Sequence, residues 1–405
     1  MTAPAVSVIV VSRHRPAELQ RCVTGLRQQD HAALELIVVA DPAALAQLSG
    51  ADIKRVAFDE PNISAARNAG IARAAGDVVA FIDDDAVPEP TWAGRLASPF
   101  ADARVMQAGG FVRARNGFSF QWQAMGVDAA GRDHPLAVPP GVSLHRGSSA
   151  RAVKTQGTNC AFRREALLAA GGFDTAFRFY LDEADLNLRL AARGGLTAVV
   201  PGAEVHHGFA ASVRRRADRA PLDLHEIGAS TAVFLNRHAP EAKAREIVAL
   251  REAQRQRLLR LMVDGRLEPR DVPRLMATLD AGIADGNGRE SAQYQPVAGE
   301  QDFRALAGCG PRPGRVIAGR IWQARRLAEM AAEGVRDGAI VTAICLAPSP
   351  RRHWMQFDPA GYWWQIGGLF GPSDRSEPAF RGWRFGDRVA QETARHAARR
   401  PVGPA

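Results

Sequence analysis

Cysteine is scarce in this chain, with four in 405 residues, at Cys22, Cys160, Cys309 and Cys345. Their spacing fits neither a metal site nor a disulfide framework, and it points to a reducing compartment where thiols serve as small buried hydrophobes. No stretch approaches the roughly 18 uninterrupted apolar residues of a membrane helix. A secretory signal is also missing: the first residues carry no basic region, and Val6 to Val11 is only strand-length. The expected location is cytoplasmic, or peripheral at the inner face of a membrane. No glycine-rich loop follows the first strand, where Ser12-Arg13-His14-Arg15-Pro16 stands instead. That excludes an NAD-binding Rossmann domain and argues against a nucleotidyltransferase.

What is present is a normal globular interior, 46% hydrophobic, in a chain long enough for two or three units. The formal net charge of +9 comes from an arginine-rich composition. Such an excess suits anionic partners such as nucleotide diphosphates, acidic lipids or acidic polysaccharides, although it also serves solubility alone.

The first half alternates strand and helix patterns. Val6 to Val11 is a β-branched apolar run, followed by a helical pattern with Leu19, Cys22, Val23 and Leu26 on one face. Leu34 to Val39 and Ile53 to Phe58 read as further strands, and Ser64 as the cap of a helix through Ala75. Val78 to Ile82 is the cleanest strand and runs into Asp83-Asp84-Asp85. Continuous apolar strands separated by helices predict a parallel sheet covered on both faces, with ligands at the carboxyl ends of its strands. Asp41 and Asp83 to Asp85 share that rim.

Asp83 and Asp85 form a D-x-D pair able to present hard oxygen ligands to Mn²⁺ or Mg²⁺ together with substrate phosphates. Alone, the cluster reads equally well as a solvated turn. Arg67 could meet a pyrophosphate by paired hydrogen bonds, or be a surface arginine. Asp182, Glu183 and Asp185 open an amphipathic helix, where acids favour the helix dipole and where one of them could act as a general base. His206-His207 follows a short strand, Thr197 to Val200, and could supply a nitrogen ligand.

The order Val-Ser-Val-Ile-Val-Val, Glu-Leu-Ile-Val-Val-Ala-Asp, Ala-Arg-Asn-Ala-Gly-Ile, Phe-Ile-Asp-Asp-Asp, Phe-Arg-Arg-Glu-Ala-Leu, Gly-Gly-Phe-Asp and Asp-Glu-Ala-Asp-Leu resembles glycosyltransferase family 2 over about residues 5 to 210. The resemblance implies a GT-A fold: a Rossmann-like, mixed but mostly parallel α/β sheet flanked by helices. It also implies metal-dependent, inverting transfer from a nucleotide sugar, a UDP-sugar being the first expectation, to a glycan or lipid-linked acceptor. Nucleic acid is not an expected partner. Ser12, Arg13, Asp41, Arg67, Asp83 and Asp84 fall on the donor side, and Asp85, Asp83 and His207 on the metal. Glu183 or Asp182 would be the base, in the reverse of the family's usual order, and Thr158, Asn159 and Asp185 fall on the acceptor side. Ala40 stands where the family often has a first aspartate before Asp41. A catalytically silent nucleotide-sugar-binding or scaffold protein is the competing reading.

Residues 211–285 read as a basic helical segment opened by Arg214-Arg215-Arg216, with a long helix from Ala242 to Met262 that could lie on anionic lipid. Gly282 to Gly299 reads as a polar linker. Residues 300–405 read as an α+β region, with a basic helix from Arg320 to Glu333, a strand from Ala339 to Leu346 and aromatic residues from Trp354 to Trp364. These aromatics suit either a sugar-stacking platform or a small core.

Overall fold

The structure is a computed structural model that describes residues 3–208, 214–216, 218–292 and 302–403. The strands of the first half are β1 (Val6–Ser12), β2 (Leu34–Ala40), β3 (Ile53–Ala57), β4 (Val78–Asp83), β5 (Ala86–Pro88), β6 (Val105–Arg113), β7 (Phe120–Trp122), β8 (Met125–Asp128), β9 (Asp133–Pro135), β10 (Ser143–Arg146), β11 (Arg151–Lys154), β12 (Cys160–Arg163) and β13 (Leu196–His207). Its helices are α1 (Pro16–Leu26), α2 (Pro42–Ala46), α3 (Ile63–Ile71), α4 (Trp92–Ala97), α5 (Arg164–Ala169) and α6 (Asp182–Ala192).

The main sheet runs β10-β13-β6-β12-β4-β1-β2-β3. Strands β4, β1, β2 and β3 are mutually parallel, β13 is parallel to β6, and β12 is antiparallel to both of its neighbours. This is the mixed, mostly parallel GT-A type sheet that the family resemblance implies. The register sets Val11 opposite Asp83 and Ser12 opposite Ala40, so Ser12, Asp41 and Asp83 end at one level.

Alternation splits the core. Val8, Val10, Leu36 and Val38 pack with Leu19, Cys22, Leu26, Trp92 and Leu96 on one face. Ile9, Ile37, Val39 and Phe81 pack with Ala66, Phe162, Phe173 and Leu186 on the other. Each such side chain, taken from water, contributes about 1.5–3 kcal/mol. All four cysteines are free, and three are buried.

Several boundaries differ from expectation. Asn62, not Ser64, caps α3 by accepting the Ala65 N–H, and the helix stops at Ile71. Ser64 lies inside it and donates to the Phe177 carbonyl. The strand expected to end at Val200 runs through Pro201 to His207, because a register shift against β6 between Val200 and Glu204 spares the ladder the missing N–H.

Beyond the first half lie α7 (His225–His238), α8 (Lys243–Val263) and α9 (Asp271–Gly288). Helix begins at His225 rather than at Arg214. Much of the expected linker is the end of α9, where a Cβ on Gly282 would stand 1.9 Å from the His225 carbonyl oxygen. The glycine is there for close helix contact, not for flexibility. The remainder of that linker, residues 293–299, and the expected domain boundary at residues 210 and 211 lie outside the described residues. No helix among the described residues is long and apolar enough to cross a membrane.

Strands β11, β8 and β9 form a small sheet of their own, and the last third forms a further four-stranded sheet, ordered β14 (Gly314–Arg320), β15 (Ile340–Ala347), β17 (Trp363–Gly368) and β16 (Trp354–Phe357), flanked by α10 (Ala324–Arg336) and α11 (Phe385–Ala397). Arg320 closes β14 and caps a single 3-10 turn, Ile321–Gln323, so the α-helix itself starts four residues later, at Ala324. Trp363 is fully buried and Trp354 is 53% exposed, so the aromatic segment is partly core and partly surface.

A strap at residues 304–309 fastens the segment before β14 to the first core. Leu306 enters the first core, and Asp52 pairs with Arg27 at 2.6 Å while accepting the Ala307 N–H. The Arg27 hydrogen bonds outweigh the burial of Asp52, and with the Ala307 N–H they hold its carboxyl at about 2, against an ordinary 3.8. A depressed carboxylate stabilises the fold fully above its unfolded pKa. That contribution is lost as pH falls from about 3.8 through about 2. We predict that Asp52→Asn costs on the order of 2 kcal/mol in denaturant unfolding at pH 7, and that the difference from the parent narrows toward pH 2.

Candidate active site

At the end of β4 the three aspartates part company. Asp84 is buried, accepts the Ser12 hydroxyl at 2.7 Å and pairs with Arg15 at 2.7 Å. Burial pushes its carboxyl up to about 7, with Asp85 and Asp83 adding to the rise and Arg15 and Ser12 opposing it. Asp84 and Ser12, both expected on the donor side, therefore hold the turn that aims their neighbours.

Asp83 and Asp85 turn toward His207 at the end of β13, and ligand atoms of the three lie within 4.8 Å of one another. His207 Nε2 is 3.2 Å from Asp85 and 3.9 Å from Asp83. Its Nδ1 faces Gln121 Oε1 at 3.0 Å, which selects the Nδ1–H tautomer and leaves the Nε2 lone pair toward the carboxylates. Two hard oxygens and one imidazole suit Mn²⁺, and Mg²⁺ less well, with coordination positions left over for phosphate oxygens. The residues fit the ion.

At the end of β2 on the same rim, Asp41 caps α2 and accepts the N–H groups of His14 at 2.7 Å and Ala44 at 3.0 Å. Burial would raise its carboxyl, but these donors outweigh it and hold Asp41 below the usual range. Arg13 bonds Asp59 at 2.8 Å, and the His14 ring meets the same carboxylate at 3.0 Å.

The opposite wall is α6. Asp182 and Glu183 both grip Arg67, the second at 3.1 Å. Arg67 itself is buried, with its guanidinium 5.1 Å from the Phe173 ring. Burial works against its charge, but Asp182, then Glu183, and further off Asp83, hold the proton on. This arginine is committed to two carboxylates and not turned outward for a pyrophosphate. The acids differ: burial and the Glu183 charge push Asp182 well up, whereas Arg67 overcomes burial to hold Glu183 below its ordinary value. The Glu183 side chain is 20% exposed and that of Asp182 3%, so the ionised, reachable carboxylate is Glu183. Gly157 lies against it, where a Cβ would come within 1.8 Å of Glu183 Oε1.

Two residues expected on the acceptor side do other work. Asp185 is fully buried and held by Arg189, Arg237 and His238. Asn159 accepts from Trp92 Nε1 and donates to the Phe111 and Ala203 carbonyls, which spends its amide inside the scaffold. Thr158 is buried beside Gly157. Sequence reasoning missed Arg15, Asp59 and Gln121. Asp59 alone had a signal, since it follows a strand at the same rim.

The sequence model of glycosyltransferase-like family 2 matches residues 4–220, and the chain belongs to that family. The O-antigen biosynthesis protein RfbC of Myxococcus xanthus is 26% identical over 244 residues, which is 54% of this chain and 18% of that protein. A glucosyl-dolichyl phosphate glucuronosyltransferase of Haloferax volcanii is 30% identical over 190 residues, 42% of this chain and 56% of that one. The chain thus spans roughly a fifth to just over half the length of these curated relatives. Among solved structures, mannosyltransferase PcManGT from Pyrobaculum calidifontis, in complex with GDP-Man and Mn²⁺, aligns with a TM-score of 0.41 at 18% identity, covering 71% of this chain and 88% of that one. That likeness is too distant to bear on substrate.

Proposed function

We propose that this protein transfers a sugar from a nucleotide-sugar donor, a UDP-sugar being the first candidate, to a hydroxyl of a glycan or lipid-linked acceptor by a single inverting displacement. The observation that carries the reading is the convergence of Asp83, Asp85 and His207 on one point, with the ionised Glu183 on the facing wall. Asp83, Asp85 and His207 would hold Mn²⁺ or Mg²⁺, which neutralises charge on the departing diphosphate. Asp41 and the Arg13–Asp59 pair frame the nucleoside end. Glu183 accepts the acceptor hydroxyl proton as that oxygen bonds to the anomeric carbon, and the bond from that carbon to the diphosphate oxygen breaks. Arg67 positions the base and keeps it ionised.

The test is turnover of UDP-, GDP- and dTDP-sugars with Mn²⁺, with Mg²⁺ and with chelator. Metal-dependent release of nucleoside diphosphate from one of them is expected, and Asp85→Asn should reduce it at least about 100-fold. Tight donor binding with no turnover in any combination would favour the silent protein instead.

In the same reading the reaction is cytoplasmic, and residues 225–288 and 302–403 are accessory to the transferase. Helix α8 leaves Arg245, Arg255, Val248 and Val263 exposed, a composition suited to anionic lipid. Co-sedimentation with anionic liposomes at low salt should retain the protein, and loss of binding at high salt should follow from screening.

A further inference from the structure

Behind the candidate metal ligands lies a cavity of about 360 Å³, within the range of small-molecule sites. Asp85, His206, His207 and Gly208 form one wall, and Trp354 to Phe357 of β16 form the other. Neither Asp83 nor Glu183 lines it, so it extends from the Asp85 and His207 side of the transfer site, away from the Glu183 wall.

Its chemistry is mixed. Val87, Met355 and Phe357 are apolar, while Arg21 and Arg115 bring guanidinium groups. Arg21 makes no hydrogen bond or ion pair among the described residues, although it lines a half-closed space. Arg115 spends its Nε on the Gly208 carbonyl at 3.2 Å. Trp354 donates its indole N–H to the Arg115 carbonyl, which fixes the ring at the mouth while leaving the side chain 53% exposed. Arg21 and Arg115 stand against one lining carboxylate, Asp85. Burial first, then Arg219, with Arg15 and Arg115 contributing, pulls the Arg215 guanidinium below its ordinary value despite the help of Asp85. A concave space with a fixed aromatic face and two arginines in its lining matches a ring that carries an anion.

We propose that this cavity binds an anionic sugar, phosphorylated or uronic, with its charge on Arg21 and Arg115 and its ring against Trp354. The last sheet then has a defined purpose, since β16 supplies the aromatic face of this cavity. Phosphate and carboxylate share the guanidinium chemistry, and the probes separate them.

The experiment is calorimetric titration of the full chain, with Mn²⁺ present, by glucose 1-phosphate, glucuronate, inorganic phosphate and glucose. One of the two anionic sugars should bind at least 10-fold tighter than glucose and than inorganic phosphate. Arg21→Ala and Trp354→Phe should each weaken that binding at least 10-fold without lowering the melting temperature, and Arg21→Lys should restore part of it for a phosphate. Unchanged affinity in both Arg21→Ala and Trp354→Phe, or glucose binding as tightly as the anions, would overturn the proposal. Donor turnover alongside such a result would leave the transferase reading standing, because this test reads binding alone.

Discussion

Glu183→Gln should lower donor-to-acceptor turnover by about 10²–10⁴-fold, the range for losing a positioned general base. Asp182→Asn should cost about 10-fold or less. The asymmetry follows from how the two acids share Arg67. Both are within reach of its guanidinium, but Glu183 remains ionised and partly open to the cleft, while Asp182 is buried with its carboxyl pushed up. A glutamine at 183 keeps the contact to Arg67 and removes the proton acceptor, so KM should change little while kcat falls. Arg67→Met should reproduce most of the kcat loss by another route. Without the guanidinium, Glu183 loses the charge that offsets its burial, so its carboxyl rises and less of it stays ionised. Measuring kcat for the three variants against the donor found in the nucleotide-sugar screen decides the matter. Equal losses for Glu183→Gln and Asp182→Asn would remove the assignment of the base to Glu183.

The second large effect is on stability, and it comes from the far end of the chain. Arg400 is fully buried against Glu89, at 2.6 Å, with its guanidinium 3.8 Å from the Trp363 ring centre. Arg399 reaches Glu204 at 2.9 Å, where Arg113 is already bound. Burial would raise Glu89, yet Arg400 and then His206 hold it well below the carboxylate range. Arg400→Ala leaves the buried Glu89 charge with His206 as its one remaining side-chain partner among the described residues, which costs about 3–5 kcal/mol. Denaturant unfolding at pH 7 should show that loss. Pairing Arg400→Met with Glu89→Gln should recover much of it, because the penalty lies in the orphaned charge more than in the lost bond. A single-variant loss below about 1 kcal/mol would mean that water reaches the site.

The strands and the rim were legible in the sequence because they rest on local rules. A buried strand flanked by helices reads as an apolar run, and residues just past its end lie at the carboxyl edge. Asp41, Asp83 and Asp85 followed from that alone. Capping was harder, since Asn62 and Ser64 are both good caps two residues apart and only the Phe177 carbonyl, far along the chain, decides between them. The roles of Arg67, Asp185 and Asn159 were out of reach for the same reason. Their partners lie up to 116 residues away, and an acid at a helix start looks alike whether it faces a cleft or three buried cations. The course of β13 past Pro201 depended on a register shift that no periodicity encodes.

The tether formed by Leu306, Trp354 and the Arg399–Arg400 pair bears on what may be cut from this protein. Family resemblance ends near residue 220, which invites expression of that stretch by itself. Such a fragment would keep every residue assigned to transfer, yet it would expose the hydrophobic seat of Leu306 and take Arg400 from Glu89 and Arg399 from Glu204. The boundary of the family match thus cuts through packed contacts, and the residues beyond it behave as part of the protein's keel.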